Sequence, residues 1–183
     1  MLIDVSYFLA GPRHIANASM GKLPSQDSIA VNDTIMEYVK EYQPLFLSSM
    51  LGYKLSKEVA DYLELLENEV ADADKDAGVE AVMNDMVVEE SKYELLCTQL
   101  RESFANYVFF HILRDANTQA TIKGLVLLKC DNTYIAPIQR QVSIWNDMVK
   151  KNKKFVKWAS SLECPFNVSI ESNMLTPINA FNL

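Results

Sequence analysis

Apolar residues recur at helical spacing in four long stretches of the chain. In the first, Val31, Ile35, Tyr38, Val39, Tyr42 and Phe46 share one face, with Asn32 or Asp33 placed to cap the start. Pro44 breaks this pattern and predicts a kink or a split, and Gly52 is a natural stop. Ser56 is placed to cap a second helix. Its stripe is Val59, Tyr62, Leu63, Leu66 and Val70, with acids on the other face. Residues 71–78 are a polar break, and a weaker helical piece is expected over 79–86. The clearest signal spans 89–115, where Tyr93, Leu96, Cys97, Leu100, Phe104, Tyr107, Val108 and Ile112 hold the period. That length and aromatic content predict the central core helix. Phe109 and Phe110 are neighbours and cannot both face one stripe, so one is expected to meet a second layer or a partner. Pro137 fits the first turn of a fourth helix, with Ile138, Val142, Trp145, Met148, Val149, Phe155 and Val156 inward and an end near Ala159.

Between the last two helices the period changes. Residues 121–128 are rich in β-branched and aliphatic side chains, Cys130-Asp131-Asn132-Thr133 reads as a turn, and Tyr134-Ile135 as a returning strand. This predicts a β-hairpin at about 121–135. Two strands alone are marginal in water, so the hairpin needs cover from a helix or another subunit. Residues 1–30 hold Gly11-Pro12, Gly21 and Pro24 and read as an irregular arm. Residues 161–183 carry Phe166, Val168, Ile170, Met174, Leu175, Ile178 and Phe181 and are too apolar for a plain disordered end. The expected fold is mainly α. A bundle of about four main helices (31–160) bears one projecting β-hairpin, between an extended N-terminal arm (1–30) and an extended C-terminal arm (161–183).

Composition supports a packed domain. Of 183 residues 49% are hydrophobic, and 5 glycines and 6 prolines are too few for general disorder or a turn-rich all-β fold. The opening MLIDVSYFLAGPRH lacks a basic n-region, and the longest apolar run falls far short of a membrane span. The chain is therefore expected in the cytoplasm where it is made, with no membrane partner. Cys97, Cys130 and Cys164 are odd in number and far apart, which argues against a disulfide framework and a cysteine metal site.

Charge changes the picture more. The net charge of −7 is unevenly spread: 13 acids against 2 lysines between Glu58 and Glu94, and five lysines with no acid between Lys150 and Lys157. A chain this acidic is a poor direct binder of nucleic acid, because such binding rests on neutralising phosphates. The two segments are either solvated helix faces or surfaces that draw like subunits together head to tail.

Catalytic chemistry finds little support. His14 lies in the irregular arm, and His111, near the apolar face of the third stretch, reads as a satisfied core residue. There is no H-E-x-x-H helix, no G-x-S-x-G elbow and no glycine-rich phosphate loop. The run Asp72-Ala-Asp74-Lys-Asp76 resembles the opening of a calcium loop. Its sixth and twelfth places hold Ala77 and Met83, where the loop needs a glycine and a bidentate acid. The aromatics lie at core spacing without interleaved bases, so they read as core rather than stacking platforms. Neither an enzyme nor a bound cofactor is expected.

Two segments carry a family resemblance. The first is Tyr38 to Tyr53, whose helix ends in Phe46-Leu47-Ser48-Ser49-Met50-Leu51-Gly52-Tyr53, and the second is the end of the long helix, Tyr107-Val108-Phe109-Phe110-His111-Ile112-Leu113-Arg114. With the hairpin at 118–135 and the Pro137 helix, they resemble the small helical head–tail connector (adaptor, ring or neck) proteins of tailed bacteriophages, including the crAss-like gut phages. The resemblance covers about residues 30–160 and leaves the acidic insert at about 67–90 unmatched. It implies a virion protein made in the host cytoplasm. Copies would form a ring, typically a dodecamer, beneath the portal and line a channel through which DNA passes without specific binding. Its partners would be itself, the portal protein and other neck or tail proteins. The acid excess suits such a channel, since like charge prevents tight phosphate contact. Ile122, Leu125, Val126, Leu127 and Leu128 of the hairpin and Phe166, Ile170, Leu175, Ile178 and Phe181 of the tail are the expected interaction residues. The alternative is a non-enzymatic cytoplasmic adaptor or regulatory protein that binds one partner.

Overall fold

A computed structural model describes residues 1–72, 84–116, 118–121, 124–127, 137–161 and 164–179. It is mainly helical. The helices are α1 (Gln26–Leu51), α2 (Tyr53–Asp72), α3 (Asn84–Ala116) and α4 (Pro137–Ala159). α4 packs along α3, α1 packs on α2 and crosses α3, and α2 touches α3 less extensively. One continuous core joins them.

α1 starts earlier than the apolar stripe predicts. Ser25, in extended backbone after Pro24, accepts a hydrogen bond from the Ser28 amide and caps the helix. Asn32 serves instead as a clasp. Its Nδ2 donates to the Ser19 carbonyl at 2.6 Å, and its Oδ1 accepts from the Ser19 amide at 3.2 Å. Pro44 neither splits nor ends α1. It sits on the exposed side, where water can reach the Lys40 carbonyl that the missing N–H leaves unpaired.

Gly52 does end α1, with φ +78° and ψ 165°, a region closed to side chains. α2 begins at once with Tyr53, so Ser56 lies inside the first turn and donates to the Tyr53 carbonyl rather than capping. A Cβ at Gly52 would stand 3.2 Å from the Ser169 Cβ. Gly52→Ala is therefore expected to cost about 1–3 kcal/mol in urea unfolding. An unchanged midpoint would contradict this conformation.

α3 is buried nearly all round over its second half. Leu96, Cys97, Leu100, Phe104 and Val108 form the expected stripe, and Phe109 and Phe110 are buried too. The second layer over Phe109 is the N-terminal segment: Phe8 packs against its ring and the Arg140 guanidinium lies over it at 4.9 Å. Phe110 meets Trp145 of α4. The segment read as an extended arm is thus part of the core. It forms two 3-10 turns, Val5–Phe8 and Gly11–Arg13, and buries Leu2, Ile3, Val5 and Phe8. It was missed because eight residues are too few for a periodic signal.

The strand assignment also needs correction. A hairpin over 121–135 is not supported. Two short strands, β1 (Thr118–Thr121) and β2 (Gly124–Leu127), pair antiparallel with Thr118 opposite Leu127 and Thr121 opposite Gly124. The chain therefore reverses within the aliphatic run read as a single strand. Gly124, which weakens a strand interior, stands at the reversal. Residues 128–136, with the expected turn and returning strand, lie outside the described residues. So do 73–83, with all of the calcium-like run after Asp72 and most of the weaker helical piece.

The C-terminal segment is not a free arm over 164–179. Its backbone finishes α1: the Ser169 amide donates to the Leu51 carbonyl at 3.5 Å, and the Glu171 amide to the Ser49 carbonyl at 2.9 Å. These are carbonyls that a helix C-terminus leaves without partners. A 3-10 turn, Ser172–Leu175, then buries Met174. Among the described residues no helix is long and apolar enough to cross a membrane.

Candidate functional site

The expected interaction residues fall in three places. Leu125, Val126 and Leu127 lie on β2. Ile122, Leu128 and Phe181 lie outside the described residues. Phe166, Ile170, Leu175 and Ile178 are half-buried in their own subunit. Phe166 stacks on Tyr93 of α3 at 5.1 Å, and Ile170 and Ile178 pack on the core.

A row of α4 side chains holds the tail. The Trp145 indole donates to the Thr176 carbonyl at 3.0 Å. Asn146 clasps Ile178 from both sides, donating to its carbonyl and accepting from its amide, each at 2.9 Å. Asn152, fully buried, donates to the Met174 carbonyl at 2.8 Å and accepts from the Ser103 hydroxyl. These residues were missed in the pattern, although Asn152 carried a signal. It falls between Met148, Val149 and Phe155 on the apolar stripe, and a polar residue there needs a partner.

A second polar set ties the N-terminal segment to α3 and α4. Arg13 donates to Glu102 at 2.9 Å and to the Asn106 side chain at 2.8 Å. Asn106 in turn donates to Asp147 at 2.8 Å. Burial pushes the Asp147 carboxyl up, but hydrogen bonds from Lys151 and Asn106 outweigh it and hold the group below its ordinary value. The set fastens three elements.

His111 is not the satisfied core residue expected. Its ring stacks on Tyr42 at 3.9 Å and meets Tyr107 and Phe110 edge-on. It is 8% exposed, and neither ring nitrogen has a hydrogen-bond partner among the described residues. Burial lowers its pKa to about 4, with the positive charge of Arg114 adding to the shift and Asp115 opposing it. The imidazole is thus a neutral aromatic plate at physiological pH. A shallow cleft of about 310 Å³ beside it is lined by Tyr107, Phe110, Arg114, Trp145 and Ile178.

Other chemistry is sparse. Cys97 is buried, and burial, aided by Glu94, pushes its thiol up to about 11, so it is a poor nucleophile. Among the described residues no group of three or more His, Cys, Asp or Glu is placed to hold a metal ion.

The surface offers charge instead. On α4, Lys150, Lys153, Lys154 and Lys157 are exposed, and their spacing puts them on one stripe opposite the core. Among the described residues only Lys151 of this run forms an ion pair. On α2, Asp61, Glu64 and Asn68 share the solvent face with Leu65, which is 62% exposed. Lys57 lies one turn before Asp61, so the face changes sign along its length. No protein-family model, no curated protein and no solved structure matches this chain.

Proposed function

We propose that the protein is a non-catalytic structural subunit of a phage neck. Its copies form a ring, typically of twelve, that joins the portal to the tail and lines the DNA channel of the virion. One observation supports this best: surfaces of opposite charge lie on helices that pack on different parts of the core, the lysines on α4 and the acids on α2. A ring is built from heterologous contacts, in which one face of a subunit meets a different face of the next. In this reading the β1–β2 pair is covered by a neighbour, because two strands alone are marginal. The half-buried tail residues contribute less than their sequence implies.

The test is co-expression with the portal protein of the same phage, followed by mass measurement and imaging of the purified complex. A ring of many copies on the portal is expected. Absence from purified virions, together with one-to-one binding to a host protein, would replace this reading with that of a cytoplasmic adaptor.

A further inference from the structure

We infer that the exposed face of α2 on one copy docks against the lysine stripe of α4 on the next copy, with Leu65 seated inside the charged contact. The inference rests on the assembly reading and names the surfaces that would carry it. Three observations point to a second copy as the occupant.

The first is complementarity. Asp61 and Glu64 stand on the solvent face of α2, and Lys150, Lys153, Lys154 and Lys157 on the solvent face of α4. None of the four lysines pairs with an acid among the described residues, whereas Lys151 beside them bonds Asp147. The second is the placement of the acids. Carboxylates are unfavourable near a helix C-terminus, where the backbone dipole is negative. Yet α2 keeps acids to its end at Asp72 with no base in its last turn, and Glu67, one turn earlier, is paired with the Met1 ammonium. Asp61 and Glu64, unlike Glu67, have no ion-pair partner among the described residues, and a cationic neighbour would supply one. The third is the apolar content. Leu65 stands exposed between the acids, and half-buried Trp158 follows Lys154 by one turn at the edge of the basic stripe. An apolar centre with a charged rim is the usual anatomy of a specific contact.

Duplex DNA is the competing occupant of the lysine stripe. It fits less well, because it leaves Leu65 and the acids without a role.

Charge reversal tests the contact on the full chain. Asp61→Lys with Glu64→Lys makes one variant, and Lys153→Glu with Lys154→Glu the other. All four positions are exposed, so both variants should fold, which circular dichroism checks. Self-association of the wild type is measured by sedimentation at low salt, up to millimolar concentration. Each variant alone should associate at least about tenfold more weakly, and an equimolar mixture should recover it, because each variant then offers the face the other lacks. Leu65→Ser should weaken association without altering its salt dependence.

A wild type that stays monomeric overturns the contact, while the portal experiment judges the function separately. Association untouched by either reversal also overturns it but leaves assembly standing. Binding of a 30-base-pair duplex that is lost in the lysine variant, with no change in self-association, assigns the stripe to DNA.

Discussion

Asn152→Ala is expected to destabilise the protein by about 3 kcal/mol and to loosen the tail before the body unfolds. The side chain is fully buried and has two jobs, accepting from Ser103 and donating to the Met174 carbonyl. Alanine leaves both partners buried and unpaired, at roughly 1–3 kcal/mol each. Against a typical total of about 5–15 kcal/mol this is a large share. Adding Ser103→Ala removes one orphan and should recover part of the loss. Urea denaturation reads the total. Hydrogen exchange reads the location: the amides of Thr176 and Ile178, bonded to the Asn173 carbonyl and the Asn146 side chain, should lose protection first. A loss under about 0.5 kcal/mol would mean that water replaces the asparagine, and that its burial is not what holds the tail.

The second large effect belongs to His111. Its pKa is about 4 in the folded chain and near 6.5 in the unfolded one. Above pH 6.5 both states hold the ring neutral and the group contributes nothing to pH dependence. As pH falls from 6.5 towards 4, the unfolded chain binds a proton that the folded chain refuses, and stability drops. The loss levels off below pH 4 at about 3 kcal/mol. Arg114 steepens it and Asp115 moderates it. Carboxyl groups as a class titrate in the same range, so the wild type alone does not isolate the effect.

His111→Phe can. Phenylalanine keeps a ring against Tyr42 and removes two unpartnered nitrogens. The variant should be at least as stable as the wild type at pH 7, and its advantage should grow by about 3 kcal/mol on going to pH 4. A difference that stays flat with pH would show that the imidazole is solvated or paired in solution.

Helical periodicity carried much of the fold. It located the stripe of α3, the apolar face of α1, the stop at Gly52 and α4 from Pro137 to Ala159. These were legible because each rests on a local rule: a repeat near 3.6 residues, a positive φ at glycine, a proline where no donor is needed. Boundaries were harder. Ser25 and Asn32 are both good caps, and the choice depended on where Asn32 finds Ser19. The strand register shifted because an aliphatic run does not mark its own point of reversal.

Sequence by itself determined that this chain packs around one long aromatic helix and that its acids and lysines are segregated along the chain. Both follow from composition and spacing. Only the tertiary structure decided what the two terminal segments do. The 3-10 turn at Val5–Phe8 becomes core because Phe109 needs a second layer, and the tail becomes the cap of α1 because Gly52 leaves carbonyls open beside Ser169. The candidate surfaces were half visible in the same way. The lysine run could be read directly, but its exposure on one stripe comes from how α4 lies on α3. The isolation of His111 was invisible, because a histidine's partners are set by the rings and charges that neighbouring elements bring to it, and no local pattern encodes them.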